Sequence, residues 1–133
     1  MTDQELVALA TEARERAYAP YSNYAVGAAL LGKSGRVYTG CNVENAVYSL
    51  TICAERAALF KAVSEGEREF ESIAVVTANG GSPCGSCRQV LAEFAPELRV
   101  LIATPGKPAV VQTIGELLPR AFGPRDLPET QAT

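Results

Sequence analysis

Residues 72–94 read SIAVVTANGGSPCGSCRQVLAEF. Ser72 to Ala78 form a short, continuous apolar run, the pattern of a strand inside a sheet covered on both faces. Asn79-Gly80-Gly81 is a turn signal. Ser82-Pro83 is expected to open a helix, with Ser82 as N-cap and Pro83 at the first helical position. A strand buried on both faces needs helices above and below it, so this stretch points to a layered α/β arrangement.

The flanking sequence fits that frame. Residues 53–64 read as a mostly buried helix closed by Gly66. Ala25–Leu31 and Arg36–Cys41 flank Gly32-Lys33-Ser34-Gly35 and read as a hairpin. Thr2-Asp3-Gln4-Glu5 matches a capping box. Leu6, Leu9, Ala10, Ala13 and Ala17 then recur at helical spacing, in a helix expected to end before Pro20. Downstream, Arg99–Thr104 and Ala109–Thr113 read as strands joined by the tight connection Pro105–Pro108. Ile114–Leu118 reads as a short helix and residues 123–133 as a loose polar tail. The order α, β, β, α, β, α, β, β, α predicts one domain over residues 1–133, a three-layer α/β/α sandwich around a five-stranded mixed sheet.

Composition narrows the function. The chain has 133 residues, 47% hydrophobic and 20% charged, a globular profile. Its 12 Lys+Arg against 15 Asp+Glu give a net charge of -3. Such a chain lacks the basic footprint of a nucleic-acid binder. The apolar run Ala25–Leu31 is far too short to span a membrane, and MTDQELVALA is acidic where a signal peptide would be basic. A cytoplasmic protein without nucleic-acid or membrane partners is the expectation.

Four cysteines (Cys41, Cys53, Cys84, Cys87) and no histidine complete the inventory. In a reducing compartment, metal binding or catalysis explains such cysteines better than disulfides. Cys84 and Cys87, at i and i+3, share a helix face in a first turn that favours thiolates. Cys53 starts the preceding helix. Three thiolates with one open position make a catalytic zinc site plausible, since closed structural sites have four ligands. Glu55 cannot point sideways in the same direction as Cys53, because two helical residues are about 200° apart. A metal over the helix end would let Cys53 bind while Glu55 reaches past it as a general acid/base. Zinc with three thiolates carries a net charge of -1. The helix N-termini, Arg56 and Arg88 are the nearby positive groups that could offset it.

C-A-E at 53–55 followed by P-C-G-S-C at 83–87 is the signature of zinc-dependent nucleoside deaminases. The chain resembles the small, homotetrameric cytidine deaminases over nearly its full length, through YSNYAVGAALL (21–31), GCNVENAVYS (40–49), CAERAALFKAVSEG (53–66), SPCGSCRQVLAEF (82–94) and ELLPRAFGPRDL (116–127). The resemblance implies one zinc per chain on Cys53, Cys84 and Cys87, with Glu55 carrying a proton from the activated water to N3 of cytosine and then helping to expel ammonia. It implies that the Ala54 backbone contacts the pyrimidine edge, that Asn42 and Glu44 hold the ribose hydroxyls, and that Tyr24 flanks the base. Asn42 and Glu44, two apart at a strand end, share a face. It also implies a homotetramer with shared active sites, in which Phe122 reaches in from a neighbouring subunit. The family usually carries Phe-Pro where this chain has Tyr24-Ala25.

The implied function is hydrolytic deamination of cytidine and 2′-deoxycytidine in pyrimidine salvage. Two rivals remain at this point: a deaminase of a nucleoside antibiotic or modified cytidine, and a structural zinc module without turnover. Several residues have ordinary readings when taken singly. Cys84 and Cys87 alone fit a redox pair. Cys41 fits a small buried hydrophobe, Glu55 a solvated helix position, and Phe122 simple packing.

Overall fold

Thr2 begins the first helix as expected. Its hydroxyl accepts the Glu5 N–H at 3.1 Å, and the Glu5 carboxylate accepts the Thr2 N–H at 2.7 Å, which satisfies two otherwise free donors. The structure is a computed structural model describing residues 1–128. In chain order it contains α1 (Asp3–Arg14), β1 (Gly27–Gly32), β2 (Val37–Cys41), α2 (Ala54–Ser64), β3 (Phe70–Val76), α3 (Gly85–Phe94), β4 (Arg99–Ala103), β5 (Val110–Thr113) and α4 (Ile114–Leu117). Short 3-10 turns occupy Tyr48–Leu50 and Pro124–Asp126.

The strands form one mixed sheet in the order β2-β1-β3-β4-β5. Only β3 and β4 run parallel, with α3 as their crossover; the other pairs are antiparallel. Alternation along the strands assigns the two faces. Ala29, Leu31, Ala74, Val76 and Leu101 meet Leu6 and Ala10 of α1. Ala28, Leu30, Ile73, Val75 and Val100 meet Ala54, Ala58 and Leu59 of α2 and Leu91 of α3. Burying one such Leu, Ile or Val contributes about 1.5–3 kcal/mol, so both helical layers are needed to cover the sheet.

The register decides where a site can form. Gly27 lies opposite both Cys41 and Val76, and Val76 lies opposite Ala103. The segments entering β1, leaving β2 and leaving β3 therefore emerge at one end of the sheet. Gly40 lets α2 reach that end. A Cβ there would stand 2.6 Å from the Ala54 carbonyl oxygen and 2.7 Å from the Ala58 nitrogen. Only glycine allows the first turn of α2 to lie this close to β2.

Three expectations need correction. First, α1 stops at Arg14, short of Ala17. The chain tightens through bonds from Arg16 N–H to Ala13 O and from Ala17 N–H to Arg14 O, and Tyr18 then bridges to Val43. That tertiary pairing overrides the helical pattern. Second, α3 begins at Gly85 with Cys84 as N-cap. The Ser82 hydroxyl and the Pro83 carbonyl are instead held by Arg88, which keeps both residues outside the helix. Third, the tail contains the Pro124–Asp126 turn, closed by an Asp126 carboxylate on the Gly123 N–H; residues 129–133 of the expected tail lie outside the described residues.

Candidate active site

Cys53 and Cys84 occupy equivalent positions. Each is the N-cap of its helix, with extended backbone and a side chain that makes no capping bond. Their sulfurs therefore project over the helix ends, where unpaired N–H groups favour negative charge. Cys87, within the first turn of α3, is fully buried, and its sulfur lies 3.5 Å from that of Cys84. All three sulfurs fall within 4.8 Å of one another. Among the described residues this is the one cluster of three or more potential metal ligands.

The cluster tests well against zinc. Zn–S bonds of about 2.3 Å in a tetrahedral site put sulfurs roughly 3.8 Å apart, close to the spacing found. The thiols also favour a cation. Contact with Cys87 lowers the Cys53 thiol to about 5, helped by the Arg56 guanidinium and opposed by burial. The same contact with Cys53, together with burial, pushes Cys87 far upward. One negative charge is thus accepted readily and a second is resisted. A divalent cation removes that conflict. Three thiolates fit one zinc per chain and leave its fourth position open.

Glu55 follows Ala54 in the first turn of α2 and is 5% exposed. Burial raises its carboxyl to about 7, and the neighbouring Cys53 charge acts in the same direction. Arg56 Nη2 donates to Cys53 Sγ at 3.3 Å, while its buried Nε has no partner among the described residues. Arg88 does not share that role. Its three donor nitrogens go to Pro83 O, Leu117 O and Ser82 Oγ.

Above the cysteines lies a cleft of about 240 Å³. Of the residues expected at the site, Tyr24, Asn42, Glu44, Cys53, Ala54, Glu55 and Cys84 line it. Asn42 is buried; its Oδ1 accepts the Val26 N–H at 2.9 Å and its Nδ2 donates to Tyr24 O at 2.8 Å. One donor and one lone pair of its amide stay free for a ligand. The Glu44 carboxylate accepts the Tyr21 and Ser22 N–H groups and the Ser22 hydroxyl, and these bonds hold it below the usual carboxylate range. Tyr24 donates its hydroxyl to Asn79 Oδ1 at 2.7 Å. The Phe122 side chain lies outside this cleft and is 60% exposed, its carbonyl held by Gln89 Nε2 at 2.8 Å.

Sequence reasoning missed Ser22, Thr51 and Thr77. Ser22 orients Glu44 and Thr51 lines the cleft wall, whereas Thr77 receives the Gly80 and Gly81 N–H groups that shape the turn toward Cys84. Nothing in their local sequence separates them from ordinary loop residues. Ser-Asn before a strand is the only hint.

Residues 1–103 match the family model described as "Cytidine and deoxycytidylate deaminase zinc-binding region". The chain belongs to the cytidine and deoxycytidylate deaminase family. It is 50% identical over 130 residues to a cytidine deaminase of Sporosarcina psychrophila, covering 96% of each chain. It superimposes on the crystal structure of a cytidine deaminase from Burkholderia pseudomallei with a TM-score of 0.88 and 51% identity, over 92% of this chain and 100% of that one. A blasticidin-S deaminase of Bacillus cereus is 36% identical over 90% of this chain and 91% of its own length.

In this deaminase-family site, the Arg56 contact gives a direct prediction. Arg56→Ala should hold zinc about 10- to 100-fold less tightly, the usual effect of losing a ligand's hydrogen-bond partner. Chelator competition on the folded variant measures it. Recovery of tight binding in Arg56→Gln would assign the effect to the hydrogen bond rather than the charge.

Proposed function

We propose that the chain hydrolyses cytidine and 2′-deoxycytidine to uridine and 2′-deoxyuridine, releasing ammonia. The observation that carries this reading is the buried Glu55 carboxylate beside a three-sulfur cluster at the floor of a cleft whose wall holds Asn42 and Glu44. Zinc on Cys53, Cys84 and Cys87 supplies the Lewis acidity that makes a water nucleophilic near neutral pH.

The remaining steps belong to this chain's own residues. Glu55 takes the proton of the attacking water and delivers it to N3 of the pyrimidine; it then takes the second proton, from the hydroxyl newly added at C4, and delivers it to the departing amine, so that C4 becomes a carbonyl as ammonia leaves. Its burial at the cleft floor excludes competing water. The Ala54 N–H, at the start of α2, has no partner within the helix and faces the pyrimidine edge. Asn42 and Glu44 bind the ribose hydroxyls with the hydrogen-bonding capacity left after they fix the 21–26 segment. Tyr24 flanks the base.

Cytidine is favoured over a nucleoside antibiotic because the similarity is greater to the cytidine deaminase relative, at 50% identity, than to the blasticidin-S deaminase, at 36%. A structural zinc module would need a fourth protein ligand, whereas the cluster comprises three among the described residues. Ammonia release from cytidine, deoxycytidine, adenosine, cytosine and blasticidin S tests the reading. Turnover of the first two alone is expected. Release from blasticidin S without release from cytidine overturns it.

The same reading makes the protein a cytoplasmic homotetramer serving pyrimidine salvage, with active sites shared between subunits. The exposed Phe122 ring, outside its own chain's cleft, supports a role in a neighbour's pocket. Phe122→Ala should raise KM with zinc retained. Refolding it together with Glu55→Ala should give mixed oligomers with some intact sites, and activity above the parental average at low cytidine. Native mass spectrometry verifies the mixing; parental-average activity in verified mixtures refutes shared sites.

A further inference from the structure

Arg88 follows Cys87 directly, yet its guanidinium is committed to oxygens. Nε donates to Pro83 O at 2.7 Å, Nη2 to Ser82 Oγ at 2.8 Å and Nη1 to Leu117 O at 2.7 Å. The first two acceptors belong to the residues immediately before Cys84. The third is the last residue of α4. One planar, rigid fork therefore joins the strand-to-helix loop carrying Cys84, the helix carrying Cys87 and the root of the C-terminal segment. Gln89, the next residue, grips that segment again at the Phe122 carbonyl.

The geometry points to Arg88 as a positioning residue for the zinc loop, one that makes the loop and the C-terminal segment a single mechanical unit. Cys84 is exposed and, as an N-cap, lacks the φ/ψ restraint of a helix interior. Its sulfur can keep its distance from Cys87 only if the backbone before it is fixed. The preceding Ser82 and Pro83 are fixed by Arg88, whose own backbone N–H closes the first turn of α3 on the Cys84 carbonyl at 3.0 Å. A side chain that holds Ser82, Pro83 and Leu117 together transmits looseness between the zinc loop and the end of α4. Lysine cannot replace it, because one ammonium cannot reproduce the planar three-way fork.

This inference rests on the zinc ligands named above, and the test separates the two. Wild-type protein and Arg88→Met, Arg88→Lys and Ser82→Ala are purified with zinc bound, and zinc transfer to the chromogenic chelator 4-(2-pyridylazo)resorcinol is timed. Wild type without bound zinc defeats the ligand assignment itself. Positioning predicts that Arg88→Lys releases zinc as fast as Arg88→Met, about 10- to 100-fold faster than wild type, in line with the losses seen when ligand-supporting partners are removed. Ser82→Ala, which deletes one of the three contacts, should release it several-fold faster and keeps the test open if Arg88→Met does not fold. Hydrogen exchange of peptides spanning residues 113–122 should also rise in zinc-loaded Arg88→Lys. Gln89→Ala should raise exchange near Phe122 and leave zinc release unchanged, because Arg88 still fixes the segment at Leu117, ahead of the loosened part. Wild-type zinc release in Arg88→Lys means that Arg88 acts only through its charge and overturns the inference. So does wild-type exchange of 113–122 in that variant.

Discussion

Glu55→Gln is expected to keep one zinc per chain and an intact fold while kcat for cytidine falls by more than ~10⁴-fold. General acid/base catalysis by a single group is typically worth about 10²–10⁴. Here the same carboxyl serves the attacking water, the ring nitrogen and the leaving amine, so its removal should exceed the upper figure. Glutamine fills the same volume, and the cysteine cluster remains whole. Stability should hold or rise, because a buried carboxylate next to negatively charged sulfur is unfavourable and a neutral amide relieves it. Metal analysis, thermal unfolding and single-turnover kinetics on one preparation test all three statements. A variant with a tenth of wild-type turnover would show that another group carries the proton.

How much of this site is legible in the sequence depends on the kind of interaction. Strand and helix order follows from local pattern. Ser72–Ala78 has to be covered on both faces, and β3 is buried along nearly its whole length. Cys53, Cys84 and Cys87 stand out as a group because a chain without histidine has mainly thiolates to offer a soft metal, and these three sit at helix starts. The start of α3 is misplaced by local pattern because Ser-Pro is a strong cap signal, while the contacts that hold Ser82 and Pro83 come from Arg88. The role of Arg88 escapes for the same reason. Adjacency to Cys87 suggests charge compensation, but the direction of a guanidinium depends on where α4 packs. Ser22 and Gly40 are invisible because their importance lies in a carboxylate at position 44 and a helix starting at position 54, both distant in sequence. Such residues become legible only once the sheet register is known.

Cys53→Ala, Cys84→Ala and Cys87→Ala should each abolish zinc retention through gel filtration, and with it all measurable deamination, whereas Cys41→Ala should keep one zinc per chain. Loss of one thiolate from three leaves two protein ligands, too few for tight binding. The three variants should differ in stability. Cys87 is fully buried against the core side of α3, so its truncation also leaves a small void and should cost roughly 1 kcal/mol or more. Cys84 is exposed, and its truncation should change the metal-free fold little. Cys53 lies between these cases, but its loss also strands the Arg56 guanidinium, whose side-chain bond goes to that sulfur; an unpaired, partly buried donor adds its own penalty. Cys41, at the end of β2 opposite Gly27, lies outside the three-sulfur cluster. Elemental analysis beside thermal unfolding of the metal-free proteins separates these contributions. A zinc-free Cys41→Ala protein would mean that the fourth cysteine belongs to the ligand set, that the site is closed, and that no position remains for the water the reaction needs.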